Sequence, residues 1–248
     1  MLQTPIRLSR GRYTARFACG AADLAAAQGL RHRVFRGGEG VDRDAYDASC
    51  DHVLVEDAET GALVCCFRMM TLASGGEISR SYAAQFYDLA GLSGFEGAMV
   101  EVGRFCVSPR ALDPDILRVA WGAVTAHVDA HGVGLLFGCS SFEGTAADRH
   151  LDALSLLNDR HLGPDPWRPK VKAGEVVAFV DVVTSGASDL RLGVKGLPPL
   201  LRTYLAMGGW VSDHAVVDRD LGTLHVFTGV EIAAIPPARA KALRAVAG

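Results

Sequence analysis

The period of apolar positions changes along the chain, and each change marks an element. Arg12 to Ala18 alternates and predicts a first strand. Ala21 to Val34 is rich in Ala and Leu, with Asp23 in its first turn and the basic run Arg31-His32-Arg33 near its end; it predicts a helix that Gly37 and Gly38 stop. Asp51 to Glu56 and Ala62 to Met70 flank the turn residues Asp57-Ala58-Glu59-Thr60-Gly61 and predict a β-hairpin. Ser81 to Leu92 predicts a short helix with Tyr82, Phe86, Tyr87 and Leu89 on its apolar side. A strand begins at Met99 and is closed by Pro109. Asp113-Pro114-Asp115 starts a helix with aspartate at the N-cap and proline at the first helical position, and Ile116 to Ala130 continues it. Val133 to Cys139 is nearly continuously apolar, as in a buried parallel strand, which predicts a strand, helix and strand crossover. Further on, the pattern predicts a helix over Asp148 to His161, a strand over Glu175 to Val183, and a short helix opened by Pro198-Pro199 and ended by Gly208-Gly209. Strands over Trp210 to Val217 and Thr223 to Ile232 come next, then a small basic helix over Pro236 to Val246. With no internal repeat and no linker, the expectation is one mixed α/β domain over residues 1–248, with its core at about 12–232 and the helix 236–246 appended.

Two places break the pattern. The run Val100-Glu101-Val102-Gly103-Arg104-Phe105-Cys106-Val107 is strand-like yet carries two charges. In a regular strand Glu101 and Arg104 would face opposite ways. A bulge at Gly103 would re-aim the residues after it, leave backbone groups unpaired and let the two charges share a cleft; an edge strand with two solvated charges is the plainer reading. Arg68 is the other exception, the single charge in the apolar strand Ala62 to Met70. A buried guanidinium needs an acidic partner or an anionic ligand, and Asp47, Asp51 and Glu101 are the candidates, unless Arg68 reaches off an edge to solvent. The polar segment Glu39 to Cys50, with Asp42, Asp44 and Asp47, has no clean period and is a loop long enough to be functional.

Composition narrows the classes. Of 248 residues 49% are hydrophobic and 21% charged, as in a globular protein with a sizeable core, and the net charge of -3 gives no reason to expect nucleic acid. The six cysteines lie mostly inside apolar runs without CxxC or zinc-type spacing, so they are expected to be reduced core thiols with no metal site. Arg7, Arg10, Arg12 and Arg16 have no apolar run between them, and no apolar run reaches about 18 residues, so the expectation is a cytoplasmic protein without a signal sequence or a membrane span. Signatures of nucleotide hydrolysis, hydride transfer and serine or zinc hydrolysis are missing. Cys139-Ser140-Ser141 with His150 downstream is a nucleophile candidate, although a cysteine ending an apolar strand usually packs.

Several of these blocks, in order, resemble the GNAT-fold acyltransferases that take acyl chains from acyl carrier protein. They are Arg31-His32-Arg33-Val34-Phe35, the acidic loop ending in Asp47, Asp51-His52, Phe67-Arg68-Met69-Met70 and Glu101 to Val107. Two branches share them: acyl-homoserine-lactone synthases and the L-ornithine N-alpha-acyltransferases of ornithine-lipid synthesis. Cys50-Asp51-His52-Val53-Leu54-Val55, Phe137 to Phe142, Leu197 to Leu205 and Val216 to Thr223 are similar to the second. The resemblance implies a central twisted mixed sheet flanked by helices, with a bulged central strand. It also implies transfer of a 3-hydroxyacyl chain from the phosphopantetheine thioester of acyl carrier protein to the α-amine of L-ornithine, with no bound cofactor.

On that reading Glu101 is the base that deprotonates the amine, and Arg104 and Arg68 orient carboxylates or hold the amino-acid carboxylate. Asp47 and Asp51 suit the cationic side chain. Backbone N–H groups at Phe105, Cys106 and Val107 stabilise the thioester oxygen. Phe105, Val107, Leu136 and Phe142 line an acyl tunnel, although a plain core predicts the same residues. Arg31, Phe35 and their basic neighbours Arg33 and Arg36, with Arg168, Lys170 and Lys172, belong to the substrate and carrier-protein surface. The Arg239, Lys241 and Arg244 helix is the candidate for peripheral contact with the inner membrane. Acetyl-CoA enzymes hold a pyrophosphate on a glycine-rich loop at a helix N-terminus, whereas Arg110 to Asp115 has no glycine, a proline and two aspartates, which weighs against CoA as donor. Acyl-homoserine-lactone synthesis with S-adenosylmethionine, acylation of another amino acid such as glutamine, and a non-catalytic acyl-binding module are the alternatives.

Overall fold

The computed structural model describes residues 7–111, 113–183 and 189–247. Leu112 lies outside them. In chain order the elements are β1 (Arg7–Arg10), β2 (Tyr13–Phe17), α1 (Ala21–Phe35), β3 (Asp51–Asp57), β4 (Leu63–Leu72), β5 (Tyr87–Asp88), β6 (Ala98–Val107) and α2 (Pro114–His131). They continue with β7 (Val133–Glu143), α3 (Leu151–Arg160), β8 (Lys170–Val171), β9 (Val176–Ala178), α4 (Phe179–Val183), α5 (Leu190–Gly196), α6 (Pro199–Ala206), β10 (Trp210–Val211), β11 (His214–Asp218), β12 (Thr223–Glu231) and α7 (Pro237–Ala247). They group into two compact units, neither continuous in sequence: 7–71 with 102–133 and 237–247, and 72–101 with 134–236.

In the first unit the strand order is β1-β2-β3-β4-β6. The first three pairings are antiparallel, from Arg10↔Tyr13 through Tyr13↔Asp57 and Phe17↔Val53 to Val53↔Phe67. β3 and β4 are buried on both faces, which explains their unbroken apolar runs. Ala27 and Leu30 of α1 pack on Leu54, Cys66 and Cys106. α2 starts as its sequence dictates: the Asp113 carboxylate accepts the Asp115 N–H at 2.9 Å, and Pro114 needs no partner. Its N-terminus is therefore already capped by an acid. Gly132, at φ 57°, ends the helix in the left-handed region. α7 lies on α2 at Gly122, where a Cβ would come within 3.0 Å of Leu8 and Val246, and Arg244 forks onto Asp129 with two bonds of 2.9 Å.

In the second unit the order is β7-β12-β11-β9, with β10 also on β12, and all these pairings are antiparallel. The partner that β7 finds here is thus an antiparallel one. α3, α4 and α6 cover a core of Phe142, Leu154, Leu157, Phe179, Leu201, Leu224 and Val226. β5 pairs with β8.

Several sequence expectations are corrected. Ser81 to Leu92 is not a helix but a 3₁₀ turn (Ala83–Gln85), the extended pair β5, and another 3₁₀ turn (Ala90–Gly94). Tyr87 is drawn into the interior, where its hydroxyl donates to the His225 carbonyl at 2.8 Å, and this holds the chain extended. The strand from Glu175 stops at Ala178, because Phe179 and Val182, three residues apart, must both face the same core and only a helical turn permits that. Trp210 to Val217 is broken at Ser212, whose hydroxyl accepts the Phe227 N–H at 3.1 Å and donates to the His214 carbonyl at 2.7 Å, standing in for the ladder. β1 and α5 lacked a signal: only Leu8 of β1 is buried, and α5 is seven residues with two glycines.

Trp210 is clamped between two glycines. A Cβ at Gly163 or at Gly229 would stand 2.5 Å from its ring. Gly229→Ala is therefore expected to lower stability by about 1–3 kcal/mol through overpacking and to change the Trp210 fluorescence. Urea denaturation followed by tryptophan emission measures both, and an unchanged midpoint would show that the clamp has slack.

Candidate functional site: a closed arginine and aspartate ring and a buried glutamate

The acidic loop, α1, β4 and β6 meet in the first unit as a closed ring of alternating charges. Arg31 Nη1 donates to Asp47 Oδ1 at 2.7 Å, and Arg68 Nη1 reaches the same oxygen at 2.6 Å. Arg68 then forks onto Asp44, with bonds of 2.5 and 2.9 Å. Arg104 Nη2 meets Asp44 Oδ2 at 3.1 Å, while its Nε lies 3.2 Å from Asp42 Oδ2. Arg31 Nε closes the circuit on that oxygen at 2.8 Å. Gln28 donates to the second oxygen of Asp47 at 2.9 Å, and Arg36 approaches Asp42 from outside at 3.4 Å. Arg31, Asp42, Asp47 and Arg68 are each at most 6% exposed. Four of the six charges are buried, Asp44 and Arg104 are partly so, and each is neutralised by two neighbours.

The electrostatics reflect that pairing. Burial alone would raise the Asp47 carboxyl, but the bonds and charge of Arg31, with Gln28 and Arg68, hold it down at about 2. Asp44 is also lowered, against its burial, by Arg68 and Arg104. His52 is pushed down by burial and stays neutral at pH 7; its Nε2–H donates to the Asp47 carbonyl at 3.0 Å, which fixes the tautomer and pins the end of the loop.

β6 supplies the ring's strained member. Arg104, at φ 52°, is the one non-glycine among the described residues with a left-handed backbone, a conformation that costs an L-residue roughly 1–2 kcal/mol. The irregularity was expected at Gly103, which is not among the left-handed glycines and whose missing Cβ would meet Arg68 only at 3.7 Å. The left-handed backbone thus falls one residue after Gly103, on the side chain the ring holds. Phe105 stacks between Phe67 (5.0 Å) and Trp121 (6.3 Å), and the Cys106 sulfur lies 3.5 Å from that of Cys66.

Glu101, three residues earlier in β6, is buried in the second unit. Its two oxygens accept the N–H groups of Tyr82 and Ala83, both at 2.7 Å, so the carboxylate caps the Ala83–Gln85 turn.

The remaining expected site residues divide between the ring, the core and the surface. Arg68 and Arg104 are ring members, but their ring partners are Asp42, Asp44 and Asp47, whereas Asp51 opens β3 opposite Met69. Asp42 and Asp44 were missed as site residues; their signal was three aspartates in one loop against arginines buried in apolar elements. Asp47, expected to hold a cationic side chain, already accepts from two arginines and a glutamine. Arg31, expected on a docking surface, is 1% exposed and cannot serve there. Phe35 ends α1 and packs on the Leu30, Leu54 and Cys106 cluster. Phe142 sits in the second unit's core against His150 (5.0 Å), and His150 Nε2 bonds the Glu143 carbonyl rather than a cysteine. No cluster of three or more His, Cys, Asp or Glu among the described residues is arranged to hold a metal. No helix among them is long and apolar enough to cross a membrane.

The sequence profile of the acetyltransferase (GNAT) domain matches residues 30–122, the stretch that carries the ring. The chain is a GNAT-type acyltransferase. The L-ornithine N(alpha)-acyltransferase of Rhodobacter capsulatus is 31% identical to it over 86% of this chain and 88% of that protein; the enzyme of the same name from Brucella abortus is 30% identical over 88% and 83%. The chain belongs to the L-ornithine N(alpha)-acyltransferase family. In fold alone it is similar to an uncharacterized protein from Bacillus halodurans, with a TM-score of 0.50 over 98% of both chains at 6% identity.

Breaking the ring should be expensive and pH-dependent. Asp47→Asn leaves Arg31 and Arg68 undercompensated, and a loss of about 3–5 kcal/mol at pH 7 is expected. Because the folded pKa of Asp47 lies below its ordinary 3.8, its contribution is complete above about pH 4 and fades as pH falls towards 2. The difference between wild type and variant in urea midpoint should therefore narrow over that window; a difference independent of pH would contradict the assignment.

Proposed function

We propose that the chain transfers a 3-hydroxyacyl group from the phosphopantetheine thioester of acyl carrier protein to the α-amine of L-ornithine, releasing the thiol and forming the amide, lyso-ornithine lipid. The observation that carries the acceptor is the match, over most of both chains, to relatives bearing that activity's name. The donor reading is supported by the N-terminus of α2, where the Asp113 carboxylate already caps the backbone and Asp115 pairs with Arg118 and Arg10. A pyrophosphate placed there would meet two acids instead of free N–H groups.

In this reading Glu101 takes the proton from the ornithine ammonium, directly or through one water. The amine nitrogen then attacks the thioester carbon, and β6 backbone N–H groups over Phe105 to Val107 receive the charge that forms on oxygen. Arg104 acts as a positioning residue: held by Asp42 and Asp44, it fixes the backbone on which those groups sit. The acidic carrier protein docks on exposed Lys170 and Lys172 of the second unit. The enzyme works in the cytoplasm at the inner face of the membrane.

Incubation with 3-hydroxyacyl carrier protein and each acceptor in turn, read by mass spectrometry, tests the reaction. The ornithine amide is expected; products only with glutamine or S-adenosylmethionine would replace the acceptor. Glu101→Gln should lower kcat by about 10²–10⁴-fold. Its amide nitrogen would also face a backbone N–H, so a stability loss of about 1–3 kcal/mol is expected as well. Activity is therefore compared per folded molecule, and an unchanged kcat on that basis would remove Glu101 as the base.

A further inference from the structure

One face of the second unit's sheet carries two buried imidazoles, each with an unpartnered nitrogen. His225 on β12 and His214 on β11 are 2% and 1% exposed, and Nε2 of each has no hydrogen-bond partner among the described residues. Val216 pairs with His225, so His214, two residues back, lies on the same face. Tyr87 packs on both rings, at 5.6 Å from His225 and 5.3 Å from His214. Its hydroxyl donates to the His225 carbonyl at 2.8 Å, which leaves its oxygen to accept from His225 Nδ1 at 3.1 Å. That fixes the tautomer: the proton is on Nδ1, and Nε2 presents a lone pair. Burial keeps the His225 ring neutral, its pKa pushed down to about 4. Asp218, whose charge His225 feels, is committed to its own turn, where it accepts the Asp220 and Leu221 N–H groups at 3.0 Å each. A buried acceptor without a donor is costly, and native structures keep few of them.

The same face opens to solvent along β7. Ser141 pairs with His225 and is exposed, Cys139 pairs with Phe227 and is half-buried, and Phe137, further down the strand, is buried. Directly paired residues project from one face of a sheet, so these three line the approach to the histidine. Aromatic rings continue the surface: half-buried Phe86 stands edge-on to His225 at 4.9 Å, and half-buried Tyr82 packs on Phe86 at 5.4 Å. The Tyr82 N–H is in turn the group that Glu101 holds at 2.7 Å. Glu101, Tyr82, Phe86 and His225 thus follow one another across a partly exposed aromatic surface, with a lone acceptor at its far end.

We propose that this surface carries the first carbons of the acyl chain and that His225 Nε2 accepts the hydrogen bond of the chain's 3-hydroxyl, which makes His225 the specificity-determining residue for hydroxylated donors. The inference rests on the reading of Glu101 as the base and of the donor as a 3-hydroxyacyl thioester. With the amine at Glu101, the thioester carbon lies beside it and the hydroxyl-bearing carbon two bonds further along, towards Phe86 and His225. The hydroxyl supplies the donor that Nε2 lacks, whereas a plain methylene would leave the acceptor buried and unpaired. Tyr87 is a positioning residue, because it holds the His225 proton on Nδ1. His214 lies one strand further from β7, with its Nδ1 held by Asp213 at 2.7 Å.

The test gives the full chain two carrier-protein thioesters of equal length, one 3-hydroxylated and one plain, with ornithine as acceptor, and measures kcat/KM for each. Wild type is expected to prefer the hydroxylated donor by about 10–100-fold, because the plain chain leaves a buried acceptor unpaired. His225→Phe keeps the ring contacts without the acceptor and should bring the ratio to within about twofold of one, chiefly through loss on the hydroxylated donor. Tyr87→Phe, which releases the tautomer, should lower the ratio about three- to tenfold, and His225→Gln should retain part of the preference. Damaged packing would depress both donors alike, so the ratio separates recognition from a structural role. Should His225→Phe fail to fold, His225→Gln and Tyr87→Phe decide. Equal use of both donors by wild type, or a ratio that the variants leave unchanged, would overturn the assignment while leaving the reaction in place. No amide from either donor would instead overturn the reaction on which the assignment rests.

Discussion

Six charges that neutralise one another, four of them buried, hold the first unit in register. Arg31 comes from α1, Arg68 from β4, Arg104 from β6 and the three aspartates from the loop between α1 and β3. No single pair among them would repay its desolvation well, and a buried pair often stabilises no more than the apolar residues that would replace it. Closure changes the balance: each carboxylate serves two guanidiniums, and removing one member exposes two. What the ring contributes is position. It fixes a loop whose only regular piece among the described residues is the 3₁₀ turn Asp47–Ser49, and it holds the backbone at Arg104 in a conformation that a lone arginine would leave.

That constraint divides two roles that look alike in sequence. Glu101 and Arg104 are neighbours in one strand and equally unusual there, yet Arg104 is spent on the ring while Glu101 is spent on a backbone turn. Asp47, which looked like a ligand for an amino acid, accepts from Arg31, Arg68 and Gln28, and Arg68 donates to Asp44 as well as to Asp47.

The long elements were legible because their signals are local. The hairpin and α6 follow their apolar pattern, α2 its aspartate and proline start, and α1 its Ala and Leu content with Asp23 in the first turn and His32 and Arg33 in the last. The Ser81 to Leu92 segment and the Phe179 turn were misread because distant groups decide them: the His225 carbonyl that takes the Tyr87 hydroxyl, and the core that Phe179 and Val182 must both reach. At the site, a charge inside an apolar strand was enough to mark Arg68 as partnered. It could not say which aspartates would arrive, because a loop without period carries no register; Asp51 and Asp44 are equally good on paper. A bulge was expected at Gly103; the left-handed backbone lies at the next residue, Arg104, which the ring holds.

The proposed reaction rests most heavily on the identity of the donor. An equimolar competition decides it: one 3-hydroxyacyl chain is presented as carrier-protein thioester and, in a distinguishable isotope, as CoA thioester, with ornithine as acceptor and the amide read by mass spectrometry. The acid-capped start of α2 predicts that nearly all of the product carries the carrier-protein label. Product drawn equally from both donors, or chiefly from CoA, would contradict it.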